Sequence, residues 1–134
     1  MLKMTAAGLF VTDMERMVSF YRDVMGMETE WDKSPNAELY SGDMRLIMYG
    51  RDDFEKMTSR IFGYPKGING TVELAFDVPA FEDVDREYKR AVEAGAEPVL
   101  PPVTEPWGQR TSYVADPEGN LIEIGSFGSR ETES

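Results

Sequence analysis

The sequence predicts an α+β fold built twice over from one plan, and three observations carry that expectation. The order along the chain reads strand, helix, three strands, a linker, then strand, helix and three strands again. The halves echo each other: Leu9 to Gly26, a strand end followed by a helix and a glycine stop, corresponds to Leu74 to Gly95. A helix followed by an antiparallel run, repeated once, argues for α+β and against a doubly wound parallel sheet. The third observation is a hairpin at Asp116-Pro117-Glu118-Gly119-Asn120. Pro117 presets φ there, and Gly119 accepts the positive φ that closes a three-residue loop.

Thr5 to Val11 reads as a short strand, with Ala7, Leu9 and Val11 on one face and Ala6, Gly8 and Phe10 on the other. Asp13 caps a helix in which Met14, Met17, Tyr21, Val24 and Met25 recur at helical spacing until Gly26 stops it. Those methionines read as core packing rather than as soft-metal ligands. Glu28 to Asp32 reads as a strand, and Ala37 to Ser41 with Met44 to Tyr49 as a hairpin about Gly42-Asp43. Residues 51–70 break the pattern with charges, aromatics and glycines. They read as a linker containing one helical turn around Phe54 to Arg60, with a lid, which looks identical at the level of sequence, as the alternative. Thr71 to Asp77 alternates, with Val72, Leu74 and Phe76 inward. Pro79 opens a second helix whose Phe81, Val84, Tyr88, Ala91 and Val92 form a core stripe, and Gly95 ends it. Glu97 to Val103 carries Pro101-Pro102, which confines it to a sheet edge.

The last hairpin holds the strongest functional cue. If Asp116 pairs with Asn120, Tyr113 faces Glu123 on one side, while Val114 meets Ile122 and Ser112 meets Ile124 on the other. The two isoleucines belong to the core, so Glu123 points the other way, a mid-strand carboxylate beside a tyrosine. The chain thus reads as a single domain, 1–134, with module one at 1–50, a linker at 51–70 and module two at 71–128.

Composition removes whole classes of chemistry. There is no cysteine and no histidine among the 134 residues, so disulfides, thiolates, imidazole bases and His-ligated metals cannot be built from this chain. A net charge of −11 argues against nucleic acid and anionic membrane as partners and is compatible with cationic ligands drawn to acidic clefts. No N-terminal apolar run resembles a signal peptide and no stretch approaches a membrane span, so a cytoplasmic location is the default expectation.

Two segments carry a family resemblance. Phe20-Tyr21-Arg22-Asp23-Val24-Met25-Gly26-Met27, about ten residues beyond a first strand, is followed much later by Pro106-Trp107-Gly108, Asp116-Pro117-Glu118-Gly119-Asn120 and Ile122-Glu123-Ile124. Together they resemble the vicinal-oxygen-chelate superfamily, the glyoxalase, bleomycin-resistance and extradiol-dioxygenase group. The resemblance implies two βαβββ modules, one helix each, whose mixed, mainly antiparallel sheets curl into a cupped half-barrel closed through a homodimer. Enzymes of the group hold a divalent metal in that cup from four strand positions. Here the first falls on Ala6, the second near Ile47 or Met48, the third on Thr71, and only the last, Glu123, keeps a ligand. The expectation is therefore no metal and no cofactor, with a weakly held magnesium between Glu73 and Glu123 as the one exception considered.

Two readings of function follow. As a binding protein like the bleomycin-resistance branch, the chain would take a small, cationic or aromatic molecule against Phe10, Tyr49, Glu73, Trp107, Tyr113 and Glu123, with Trp31 nearby. As a lyase or isomerase, Glu123 would be the general base and Tyr113 the acid or oxyanion donor. Arg110 falls on the helix side by hairpin parity. A lapsed enzyme serving as an interaction domain is the third possibility.

Overall fold

The computed structural model describes residues 1–128, and the chain divides into two units, Met1–Tyr64 and Pro65–Ser134. Both are α+β, each with one mixed sheet, and neither sheet closes into a barrel among the described residues.

In the first unit, β1 (Ala7–Val11) pairs in parallel with β3 (Met44–Gly50), and β2 (Asn36–Ser41) pairs antiparallel with β3, giving the order β1-β3-β2. Between β1 and β2 runs α1 (Met14–Ser19), continued by a π-helical turn, Phe20–Val24. The Asp13 carboxylate accepts from the Arg16 N–H at 3.1 Å, as an N-cap should. Met17, Tyr21 and Val24 are buried with Leu9, Val11, Leu39, Leu46 and Met48. The strand expected at Glu28 to Asp32 is absent: only Glu28 pairs, in an isolated bridge with Tyr40. Side-chain competition explains it, because the Thr29 hydroxyl donates to the Glu38 carbonyl at 2.7 Å and accepts the Trp31 N–H at 3.1 Å.

The turn expected around Phe54 to Arg60 is a longer and earlier helix, α2 (Arg51–Thr58). It starts at extended Gly50, carries Asp52 and Asp53 in its first turn, and ends at Ser59 in the left-handed region with φ 55°. Early acids favour a helix N-terminus electrostatically, and no residue of α2 is buried, so hydrophobic periodicity had nothing to mark.

The second unit is the complete module. β4 (Asn69–Asp77), α3 (Phe81–Glu93), β5 (Glu97–Thr104), β6 (Arg110–Ala115) and β7 (Asn120–Ser126) form a sheet ordered β4-β7-β6-β5, with β4 and β7 parallel. β5 is an edge strand with two register shifts, the placement its prolines require. Pro79 lies outside α3 rather than opening it; the cap is extended Ala80, whose N–H donates to the Asp83 carboxylate at 3.0 Å. Val72 is 54% exposed rather than inward, because the β4–β7 register slips between Asn69 and Glu73 and breaks the alternation. α3 packs on β5, β6 and β7, burying Val84 and Ala91 in a core with Val114, Ile122 and Ile124. The Asp116 loop closes as read. Its N–H donates to the Asn120 carbonyl at 3.0 Å and its carboxylate accepts the Glu118 and Asn120 N–H groups. Gly119, at φ 89°, sits where an added Cβ would lie 2.0 Å from the Gly67 carbonyl oxygen, so this position admits glycine alone.

Candidate active or binding face

The hairpin register places Ser112 opposite Ile124 and Val114 opposite Ile122 on the side covered by α3. Tyr113 and Glu123 are paired residues and take the opposite face. β4 adds Glu73 beside Leu121 and Ala75 beside Glu123, so three of the residues singled out from sequence share one sheet face. The Tyr113 hydroxyl lies 3.4 Å from Glu73 Oε1 and 3.4 Å from Glu123 Oε2.

Glu123 is held chiefly through one oxygen. Its Oε2 accepts from the Thr111 hydroxyl at 2.7 Å and from Gln109 Nε2 at 3.4 Å, besides facing the Tyr113 phenol. All three neighbours are neutral. Among the described residues neither Glu73 nor Glu123 has a Lys or Arg partner. The cluster therefore keeps two carboxylates against one shared phenol proton. Burial, then the charge on Glu123 and the contact with Glu73, push the Tyr113 phenol up from its ordinary value of 10.0. The phenol stays protonated at neutral pH and is a donor, not a base.

Thr111 and Gln109 were not singled out in the sequence. Extending the Tyr113–Glu123 register two residues toward the strand start would have put Thr111 on the same face, opposite Gly125. Gln109 precedes β6, and only the structure brings its amide inward.

Trp107 belongs to the same unit, 59% exposed, with its indole N–H donating to Gln109 Oε1 at 3.0 Å. Phe10 and Tyr49 lie in the first unit. There Phe10 packs on Phe54 with ring centroids 4.3 Å apart, Tyr49 lies 6.5 Å from Phe54, and Phe62 stacks on Phe54 at 5.4 Å. They form an aromatic cluster under α2. Trp31 is also in the first unit, its indole N–H donated to the Ser34 carbonyl at 2.9 Å. Arg110 lies on the helix side, as parity requires, in a bidentate pair with Asp85 of α3 at 2.7 and 2.8 Å.

The donors do not fit the four-ligand divalent site implied by the resemblance. Met48 is fully buried in the core, Ile47 on the other face is a hydrocarbon, and Ala6 has nothing to coordinate with. Among the described residues no group of three or more acids is placed to hold a metal ion. No described helix is long and apolar enough to cross a membrane.

Comparison with known proteins agrees with the fold. A sequence profile described as the glyoxalase/bleomycin resistance protein/dioxygenase superfamily matches residues 3–124. The uncharacterized protein YraH of Bacillus subtilis (strain 168) is 28% identical over 127 residues, covering 92% of this chain and 97% of that protein. The crystal structure of a glyoxalase/bleomycin resistance protein/dioxygenase family enzyme from Burkholderia phytofirmans PsJN superposes with a TM-score of 0.80 at 27% identity, covering 92% of this chain and 97% of that one. A genomically encoded fosfomycin resistance protein, FosX, from Listeria monocytogenes shares the fold at a TM-score of 0.71 and 17% identity, with 94% and 93% covered. With its βαβββ second unit, its Asp116 hairpin and a profile match over nearly its whole length, this chain belongs to the glyoxalase/bleomycin resistance protein/dioxygenase superfamily.

Proposed function

We propose that this protein is a cytoplasmic, homodimeric binding protein that holds a small cation on the Glu73–Tyr113–Glu123 face without a metal. The observation that carries the reading is the uncompensated pair of carboxylates. Glu73 and Glu123 converge on one phenol, every hydrogen-bond neighbour of Glu123 is neutral, and neither acid is ion-paired among the described residues. Carboxylates only accept hydrogen bonds, so the face is short of donors and favours a ligand with N–H groups and positive charge. The exposed Trp107 ring, tied to Glu123 through Gln109, offers a surface for a flat ligand.

Benzamidine and its neutral counterpart benzamide separate charge from shape. In a Trp31→Phe background, where Trp107 is the only tryptophan, benzamidine is expected to change the emission and benzamide to leave it alone. Glu123→Gln is expected to weaken benzamidine by about tenfold to a hundredfold, the worth of a charge-assisted hydrogen bond. Equal responses to both compounds, or an unchanged affinity in Glu123→Gln, would defeat the reading.

One observation favours a second reading. Tyr113 is held protonated beside a carboxylate, the arrangement of a donor and a base in proton-transfer chemistry. Under it, Glu123 abstracts a proton and Tyr113 stabilises the oxyanion. Turnover of a carbonyl substrate that is lost in both Glu123→Gln and Tyr113→Phe would establish it over simple binding.

A further inference from the structure

Gln109 is 8% exposed, and its buried amide makes two side-chain hydrogen bonds within the site. The indole N–H of Trp107 donates to Gln109 Oε1 at 3.0 Å, and Gln109 Nε2 donates to Glu123 Oε2 at 3.4 Å. An indole can only donate and a carboxylate can only accept. The neutral amide of Gln109 does both, receiving from the first and donating to the second without cancelling the charge of Glu123. The reverse orientation would set N–H against N–H and oxygen against carboxylate, so only one orientation of the amide is satisfied.

The backbone supports the same arrangement. The Glu105 N–H donates to the Gln109 carbonyl at 2.7 Å and the Gly108 N–H to the Glu105 carbonyl at 3.0 Å, closing a tight loop that presents Trp107. Gly125, opposite Thr111, leaves the amide its room: a Cβ added there would lie 3.0 Å from Gln109 Nε2 and 3.6 Å from the Glu123 carboxyl carbon.

We infer that Gln109 is a positioning residue that ties the exposed Trp107 ring to the Glu123 carboxylate, so that whatever engages Glu123 is felt at Trp107. The inference takes the face described under the proposed function as the ligand site, but its test needs no ligand. A ligand that draws on Glu123 competes with the Gln109 N–H, and a change there passes through the amide to the indole. The rim ring and the acidic anchor then respond as one unit rather than as separate contacts.

A double-mutant cycle read at the indole decides it. In the Trp31→Phe background the Trp107 indole N–H gives a single resonance in a 15N-edited spectrum. Glu123→Gln is expected to move that resonance and to speed its exchange with solvent when Gln109 is present. With Gln109→Met, which keeps the length and removes both hydrogen bonds, Glu123→Gln is expected to add no further change. Gly125→Ala, which crowds the amide and shifts it by a few tenths of an ångström, is expected to weaken the coupling in the same direction. Equal effects of Glu123→Gln with glutamine and with methionine at 109, or no effect at all with glutamine, would overturn the inference. Benzamidine supplies the independent arm. If it fails to bind the parent protein, the binding proposal falls, while the ligand-free cycle still decides the role of Gln109.

Discussion

At the scale of single residues, the account depends on how Glu123 is held. Thr111 makes its shortest hydrogen bond, at 2.7 Å, and Thr111 is buried. Thr111→Val keeps the shape and removes the donor, so it is expected to loosen Glu123 and weaken benzamidine by about threefold to tenfold, less than the full worth of the charge-assisted bond it removes, measurable by calorimetric titration. Tyr113 carries a pH signature. Its phenol is pushed up in the folded protein, so the folded state keeps this proton where the unfolded chain loses it. The resulting stability is fully present below pH 10.0, the ordinary tyrosine value, and is lost as pH rises through the folded value. Chemical denaturation above pH 10 is therefore expected to show a fall in stability that is smaller in Tyr113→Phe. A slope identical in both proteins would mean that the Tyr113 phenol is not held between the two acids.

At the scale of elements, the hairpin β6–β7 both closes the core and presents the site. Ile122 is fully buried on the helix side, so Ile122→Ala is expected to cost about 2–5 kcal/mol in urea denaturation while its neighbour Glu123 keeps its face. The Arg110–Asp85 pair clips α3 to β6 and holds the Asp85 carboxyl below its usual 3.8 through the Arg110 hydrogen bonds. Its contribution is present above pH 3.8 and is lost as pH falls through the lowered value. Asp85 is half exposed, so Asp85→Asn is expected to cost less than about 1 kcal/mol at neutral pH. This hairpin was legible in the sequence, register included, because a loop of known turn chemistry and a strict period-2 alternation leave one pairing. Residues 28–32 were not, because a threonine hydroxyl took the carbonyl a strand would have used. Val72 was misplaced because the β4–β7 slip between Asn69 and Glu73 has no mark in the residues themselves. Gln109 was invisible for a different reason: its role depends on a loop bringing its amide between Trp107 and Glu123.

At the scale of the whole molecule, the family membership describes a fold that hosts many chemistries, and a chain without histidine or cysteine offers a metal no imidazole or thiolate ligand. A net charge of −11 adds a long-range pull on cations that salt screens. Benzamidine affinity is expected to fall as ionic strength rises, and a salt-independent affinity would speak for apolar stacking alone. The homodimer belongs to the proposal and is checked by sedimentation at micromolar concentration. The most direct test of the central claim is where a cation lands. Backbone amide shifts on adding benzamidine are expected to concentrate at Glu73, at 109–113 and at 121–125. Shifts confined to the Phe10, Tyr49 and Phe54 cluster, or no shifts at saturating benzamidine, would contradict the claim that the Glu73 and Glu123 carboxylates form the binding face.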